Sequence, residues 1–374
     1  MKSLLVLSLF FLSTTASAVT YNLQVLQSLS GTGDSTALAL NDNGTVVGNS
    51  YNSETAQLES VYWSGGSVTS LGVTGTARGI NNSDTIVGET GNLGTAFPVD
   101  SQAYSYTATG GVAYLGTLGG SNAAAHAINS SGVITGYAYP TGGNLLQSQA
   151  FIYQNGAMTS LGTVSSPTGY SRGHGINDAG EIVGRASAIN FGGSEKHLTY
   201  WDASGNLNFY NSTSGNYSTG QQINNHGTIV GNGREAATGN TQFGMVWDVN
   251  GSLLNVFDSF GGTGNLGSRA WSLNDAGVIV GYGVDASSAK RASVSYDGVN
   301  MIDINTLVDL TGTGFVSLDE AYDINASGQI VGVGTRSDGS AGAFMLTAVP
   351  VPAAIWLFGS ALAGLAWLRR KAIV

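Results

Sequence analysis

The chain has 374 residues, no cysteine, 56 glycines and 10% charged residues, so disulfide and thiolate chemistry are excluded. Lys2, Arg369, Arg370 and Lys371 lie in terminal segments without acids, and the body between them holds nine basic against 23 acidic residues, a net charge of −14. That sign disfavours nucleic acid or an anionic membrane surface as a partner of the body, while 42% apolar residues suffice for a core of short strands and tight turns.

Residues 1–18 read MKSLLVLSLFFLSTTASA, with one lysine, an apolar run from Leu4 to Leu12 and a small-x-small finish at Ala16 and Ala18. This is the pattern of a secretory signal peptide cleaved after Ala18, and it is too short to span a bilayer. The protein is therefore expected outside the cytoplasm.

Residues 19–348 form a repeat region. The phrase aliphatic–Asn–x–x–Gly–x–aliphatic–Val/Thr–Gly, as in QINNHGTIVG, occurs seven times and places Asn at 41, 81, 129, 177, 224, 274 and 325. The intervals are 40, 48, 48, 47, 50 and 51, and Asp84 is the one replacement of the internal glycine. The phrase reads as two strands joined by a tight turn, because Asn and Gly tolerate turn dihedrals and Asn supplies local side-chain hydrogen bonds. The other reading is a direct ligand site. Two more strand-like runs follow in each period, for example AFIYQ and GAMTSLG after the third phrase. Four short strands per period is the pattern of a β-propeller blade, and no segment of the body shows helical periodicity. The seventh phrase is followed by a third run, GAFML, and then by the tail, whereas TYNLQVLQSLSG before the first phrase has the fourth-run pattern. The expected fold is thus all-β, a seven-bladed propeller closed by an N-terminal strand that completes the last blade and removes an open edge.

Residues 349–374 carry an uncharged run from Ala353 to Leu368 ahead of Arg369, Arg370 and Lys371. As a helix this run reaches about 24 Å, short of a ~30 Å hydrocarbon core but workable with flanking adjustment. A transmembrane helix is expected, with the basic cluster as the cytoplasmic stop. Val349, Pro350, Val351, Pro352 and Ala353, then Trp356-Leu357-Phe358-Gly359-Ser360 and the basic end, resemble the PEP-CTERM class of C-terminal sorting signals. The match is to its VPLPA-like variant, with Val351 where leucine is usual. The resemblance implies recognition by an exosortase, a membrane processing enzyme of exopolysaccharide-producing Gram-negative bacteria, with cleavage near the proline motif.

The repeats resemble the HAF family of extracellular bacterial repeats. The resemblance rests on the IN-x-x-G-x-IVG phrase, on Ala150-Phe151-Ile152-Tyr153 with Gly156 and Leu161-Gly162, and on LGTLGGSNAAAHAIN at 115–129. It implies an extracellular location and this architecture, and no particular reaction.

In a propeller the joins between second and third strands gather on the face away from the phrase turns. Here they vary in length, which marks that face as the expected binding surface, with Tyr51, Phe97, Tyr139 and Phe191 suited to stacking on sugars. Three residues before each repeat Asn stand Leu38, Arg78, His126, His174, Gln221, Trp271 and Tyr322, on the innermost strands near a central channel. Arg78, His126 and His174 fall in consecutive repeats, a candidate cluster for an anion or, failing that, a metal; interblade packing is the alternative. There is no G-x-S-x-G elbow, H-E-x-x-H pair, EF-hand or phosphate loop, and no catalytic residue or cofactor is expected. The expected protein is an exported, exosortase-sorted, non-enzymatic binding propeller of the cell surface or extracellular matrix, with exopolysaccharide or a surface protein as partner. The alternative is an extracellular glycan-active enzyme using carboxylates on the loop face.

Overall fold

The computed structural model describes residues 19–91, 101–142, 147–164, 169–187, 196–210, 217–234, 241–262 and 267–349. After β1 (Tyr21–Leu26) comes a seven-stranded sheet of β2 (Ser35–Leu40), β3 (Val46–Asn52), β4 (Gln57–Ser64), β5 (Ser67–Ile80), β6 (Ile86–Thr90), β7 (Ala103–Thr107) and β8 (Gly111–Gly116). The next four-stranded sheet holds β9 (Gly119–Ile128), β10 (Ile134–Pro140), β11 (Gln149–Gln154) and β12 (Ala157–Ser160). A second holds β13 (Tyr170–Ile176), β14 (Ile182–Ser187), β15 (His197–Trp201) and β16 (Leu207–Phe209). A third comprises β17 (Ser218–Ile223), β18 (Ile229–Arg234), β19 (Gln242–Trp247) and β20 (Leu253–Phe257). A fourth comprises β21 (Ser268–Leu273), β22 (Ile279–Val284), β23 (Lys290–Ser295) and β24 (Ile302–Asp303). The last runs β25 (Phe315–Ile324), β26 (Ile330–Arg336), β27 (Ala341–Ala348) and then β1.

Seven repeats therefore make six sheets among the described residues. The difference lies in β5, which pairs with β4 through Ser67–Thr74 and with β6 through Gly75–Ile80. No loop separates the fourth strand of the first repeat from the first strand of the second, so one strand serves both. The other departure is β24. GVNMIDI reads as a full strand, but Asp303 turns the chain into a 3₁₀ turn at Ile304–Thr306 by accepting from the Asn305 N–H at 2.9 Å. At the chain's start, Tyr21 pairs with Ala348 and the ladder continues to Leu26 against Ala343.

The repeated Asn does two jobs. In the first phrase Asn41 Oδ1 accepts from the N–H groups of Asn43 and Thr45, which fixes the turn. Its Nδ2 donates to the Asn81 carbonyl at 3.0 Å. The same outward bond runs from Asn81 to Asn129, Asn129 to Asn177, Asn177 to Asn224, Asn224 to Asn274 and Asn274 to Asn325. Asn325 then donates to the Asn41 carbonyl at 3.1 Å and closes the circle. Asp84, the exception to the internal glycine, holds the left-handed φ of 56° that its neighbours take as glycine, and its carboxylate accepts from Asn41 Nδ2.

Apolar packing follows the same circle. Ala39, Val47, Ala77 and Ile86 pack together where the first and second repeats meet, and Val230, Val246, Ala270 and Ile279 where the fifth and sixth meet. The circle closes through Leu26, Ala37, Val46, Trp63, Val331 and Ala343, which join the last sheet to the first. Trp63 donates its indole N–H to the Gln27 carbonyl at 2.7 Å, so the strand that arrives from the N-terminus is held on both sides.

The expected signal peptide with Ala16 and Ala18 lies outside the described residues, as do the expected helix from Ala353 to Leu368, Pro350 to Ala353, and Arg369, Arg370 and Lys371. Val349 is described, and its N–H donates to the Thr20 carbonyl at 2.8 Å. Among the described residues no helix is long and apolar enough to cross a membrane.

Candidate functional site in the central cavity

Each of the seven innermost strands carries a β-bulge at the same place. Pairing of β2 with β3 steps from Ala37 to Ala39 and leaves Leu38 out of the ladder. The same step omits Arg78, His126, His174, Gln221, Trp271 and Tyr322. A bulge bends its strand and re-aims the extra side chain. All seven side chains line one central cavity of about 580 Å³, joined by Arg185, Arg269, Lys290 and Glu320.

The glycine that ends each phrase sits opposite this bulge. A Cβ on Gly48, Gly88, Gly136, Gly184, Gly231, Gly281 or Gly332 would lie 1.9–2.0 Å from a backbone carbonyl oxygen of the first strand. The phrase is thus structural at both ends: Asn makes the turn and the ring, and glycine admits the bulge.

The two mouths of the channel differ. Around the phrase turns, Asp42, Asp178 and Asp275 accept from the backbone N–H groups of Ala326, Ser130 and Asn225 in neighbouring turns, so the acids there serve the ring. Further in, Asp323 accepts from the Ser272 hydroxyl at 2.6 Å and the Leu40 N–H at 3.0 Å. Burial pushes its carboxyl up to about 6. At the opposite mouth, on the face of the joins between second and third strands, the lining is basic.

There the predicted cluster comes together. The rings of His126 and His174 lie 5.5 Å apart, and each Nδ1 sits 2.9 Å from the carbonyl oxygen of a residue in the next repeat, Gly173 and Gly220 respectively. A carbonyl only accepts, so Nδ1 carries the proton in both rings. Burial, with Arg78 next in effect, holds His126 well below the ordinary histidine value, and burial with Arg185 pushes His174 down to about 3. Both imidazoles are therefore neutral at pH 7. Arg78 is not free to act alone, because its guanidinium forks onto Glu89 with Nε at 2.7 and 2.6 Å from the two carboxylate oxygens. On the far side of the ring, Trp271 and Tyr322 have centroids 5.7 Å apart, and the Trp271 indole donates to Glu320 at 3.0 Å. Lys290 pairs with the same Glu320 at 2.5 Å.

Sequence reasoning did not pick out Arg185, Arg269, Lys290 or Glu320. A signal was present for the first: VGRAS, VGNGR and VGVGT-Arg336 place arginine shortly after the phrase glycine in three repeats. Of the loop aromatics, Tyr51 is 36% exposed, but Tyr139 is only 5% exposed and packs edge-on against Tyr137, so it offers no face to a sugar. Phe97 and Phe191 lie outside the described residues.

The histidines make acid stability a test of this geometry. Their folded values lie below the unfolded value of about 6.5, so the unfolded chain binds more protons and stability falls as pH drops below 6.5. Each contributes about 1.4 kcal/mol per pH unit while it alone titrates in the unfolded state. Asp323, raised above its unfolded value of about 3.9, acts oppositely between pH 4 and 6 and offsets one of the two. Urea unfolding between pH 7 and 4.5 should show a net loss toward acid, and His174→Gln should reduce that slope by about one proton. Equal slopes would mean that His174 titrates normally in the fold.

Residues 348–371 match the PEP-CTERM protein-sorting motif, which overlaps the last residue of β27. That signal marks an exported protein sorted to the cell surface, and it implies exosortase processing of a membrane-linked precursor. No curated protein is detectably similar to the chain in sequence. Among solved structures, a protein of unknown function from Dyadobacter fermentans is 11% identical with a TM-score of 0.43, covering 89% of this chain and 100% of that one. The six-bladed β-propeller lectin of Aleuria aurantia, described with a fucose recognition mode, is 14% identical with a TM-score of 0.39, covering 74% and 95%. A Trypanosoma rangeli sialidase is 9% identical with a TM-score of 0.40, covering 86% of this chain, which spans 56% of the sialidase. All three likenesses have TM-scores below 0.5, and nothing about fold, ligand or chemistry is taken from them.

Proposed function

We propose that the chain is an exosortase-sorted protein of the cell surface or extracellular matrix, a non-enzymatic seven-bladed propeller of HAF-like repeats that binds exopolysaccharide. The observation that carries this reading is the cavity lined by one bulged residue from each of seven repeats, inside a circle of Asn side chains closed from Asn325 to Asn41. On this reading β5 belongs to two blades, and β1 completes the seventh. The sorting motif, which marks an exported protein sorted to the cell surface, supports an extracellular polymer as ligand. The alternative, a glycan-active enzyme, needs two carboxylates set for acid and base or nucleophile. Among the described residues the carboxylate in the cavity wall is Glu320, held by Lys290 and Trp271, with Glu89 held by Arg78, which supports binding over hydrolysis at that wall.

The test is titration of the full chain in detergent against a panel of bacterial exopolysaccharides, with chain length of the polymer followed afterwards. Saturable binding with unchanged polymer length supports the proposal. Shortened polymer would move the protein to the enzyme class, and no binding to any member of the panel would overturn the polysaccharide reading.

A further inference from the structure

Resting on that reading, we propose that the basic mouth of the cavity takes an acidic sugar residue, its carboxylate held by Arg185 and Arg269 and its ring against Trp271 and Tyr322. The body is acidic as a whole, with nine basic against 23 acidic residues. Four of those nine, Arg78, Arg185, Arg269 and Lys290, nevertheless line this one cavity, against Glu320 in the wall and Glu89 behind Arg78. The wall is thus net positive by two charges, within a protein whose overall field would repel an anion. Such a concentration selects a ligand that carries its charge at one point and meets it inside the cavity.

The wall is also divided. The circle of Asn bonds orders the repeats, so the second to fourth positions carry Arg78 and the two histidines, and the sixth and seventh carry Trp271 and Tyr322. Arg78, Arg185 and two neutral imidazoles thus face an aromatic arc that carries Arg269 beside Trp271, a lining that suits a pyranose with a carboxylate on one side and C–H bonds on another. Arg269 lies over the Trp271 ring at 5.1 Å, on the same strand, and donates to Gln242 at 3.2 Å. Its Nε–H is buried and has no acceptor among the described residues. Burial and Arg172 both disfavour the charge of Arg185, and an anion in the cavity relieves both. The volume of about 580 Å³ is that of an ordinary small-ligand site.

Calorimetric titration of the full chain with trigalacturonate, galactotriose and sodium sulfate decides the matter. Trigalacturonate should saturate, galactotriose should bind at least about 10-fold more weakly, and Arg269→Gln should weaken trigalacturonate by roughly 10-fold. Arg185→Gln serves as a second variant, with an unchanged urea midpoint required of whichever is used. Galactotriose binding as tightly as trigalacturonate would overturn the inference while leaving the polysaccharide reading in place. Sulfate binding as tightly as trigalacturonate would overturn its saccharide part. Absence of trigalacturonate binding, where the polysaccharide panel does bind, would place the glycan site elsewhere.

Discussion

Gly231→Ala is expected to lower the unfolding free energy by about 3 kcal/mol or more, although it adds one methyl group. The new Cβ would stand 1.9 Å from the Thr219 carbonyl oxygen and 3.0 Å from its carbon. Neither atom belongs to a movable side chain. Both lie in β17, just before the bulge at Gln221, and that strand is paired to β18 on either side of the bulge. Relief requires either straightening the bulge, which withdraws Gln221 from the cavity, or parting the strands. Gly110→Ala is the control: Gly110 is exposed, and its nearest obstacle is the Thr107 hydroxyl, the end of a side chain. That substitution should stay within about 1 kcal/mol. Urea unfolding followed by circular dichroism compares the two, and equal midpoints would show that the bulge yields easily.

The second large effect concerns closure. Removing residues 19–27 should make the chain self-associate beyond the state of the intact protein. Tyr21 and Leu26 are 6% and 2% exposed, and their loss forfeits about 2 kcal/mol each in apolar burial. The loss also uncovers Phe344 and Leu346 in one cluster and Val331 and Ala343 in the next. More damaging still, β27 becomes an unpaired edge of eight residues, the template for pairing with another chain. Because the missing piece is a single strand, a peptide of residues 19–29 supplied in excess should reverse that association by filling the vacancy. Light scattering with and without the peptide makes the test. A truncated chain that keeps the association state and melting temperature of the intact one would show that β1 decorates the fold and does not close it.

Both predictions involve residues whose importance was only half legible in sequence. Turn chemistry and strand alternation act over a few residues, so the hairpin reading of the phrase, the four strands of most repeats and the fourth-strand pattern of TYNLQVLQSLSG could all be read from the chain alone. The periodicity also placed Leu38, Arg78, His126, His174, Gln221, Trp271 and Tyr322 at equivalent positions, because equal offsets within repeats become equal heights in the assembly. The sorting tail was legible for a different reason: its signal is linear, a proline pair, an apolar run and a basic end, meant to be read as a string.

Six of the seven bonds of the Asn circle join residues 40 to 51 positions apart. Nothing local distinguishes an Asn that only makes its own turn from one whose Nδ2 reaches the next repeat's carbonyl, as Asn224 reaches Asn274. The phrase glycine looks like another turn residue until the carbonyl opposite it is seen, for its reason lies on the neighbouring strand. Fusion of two strands into β5 depends on Gly75 at φ 148° letting the chain continue where other repeats break. Arg185, Arg269 and Lys290 sit at three different offsets in their repeats, so periodicity scattered them, and only packing of the sheets around one axis brought them to a single wall. Sequence alone determined the repeated unit and its turns, since those obey short-range sterics and hydrogen bonding. The tertiary structure decided the ring and the sign of the cavity, which depend on neighbours one repeat away, and the bulges, which depend on the facing strand of the same hairpin.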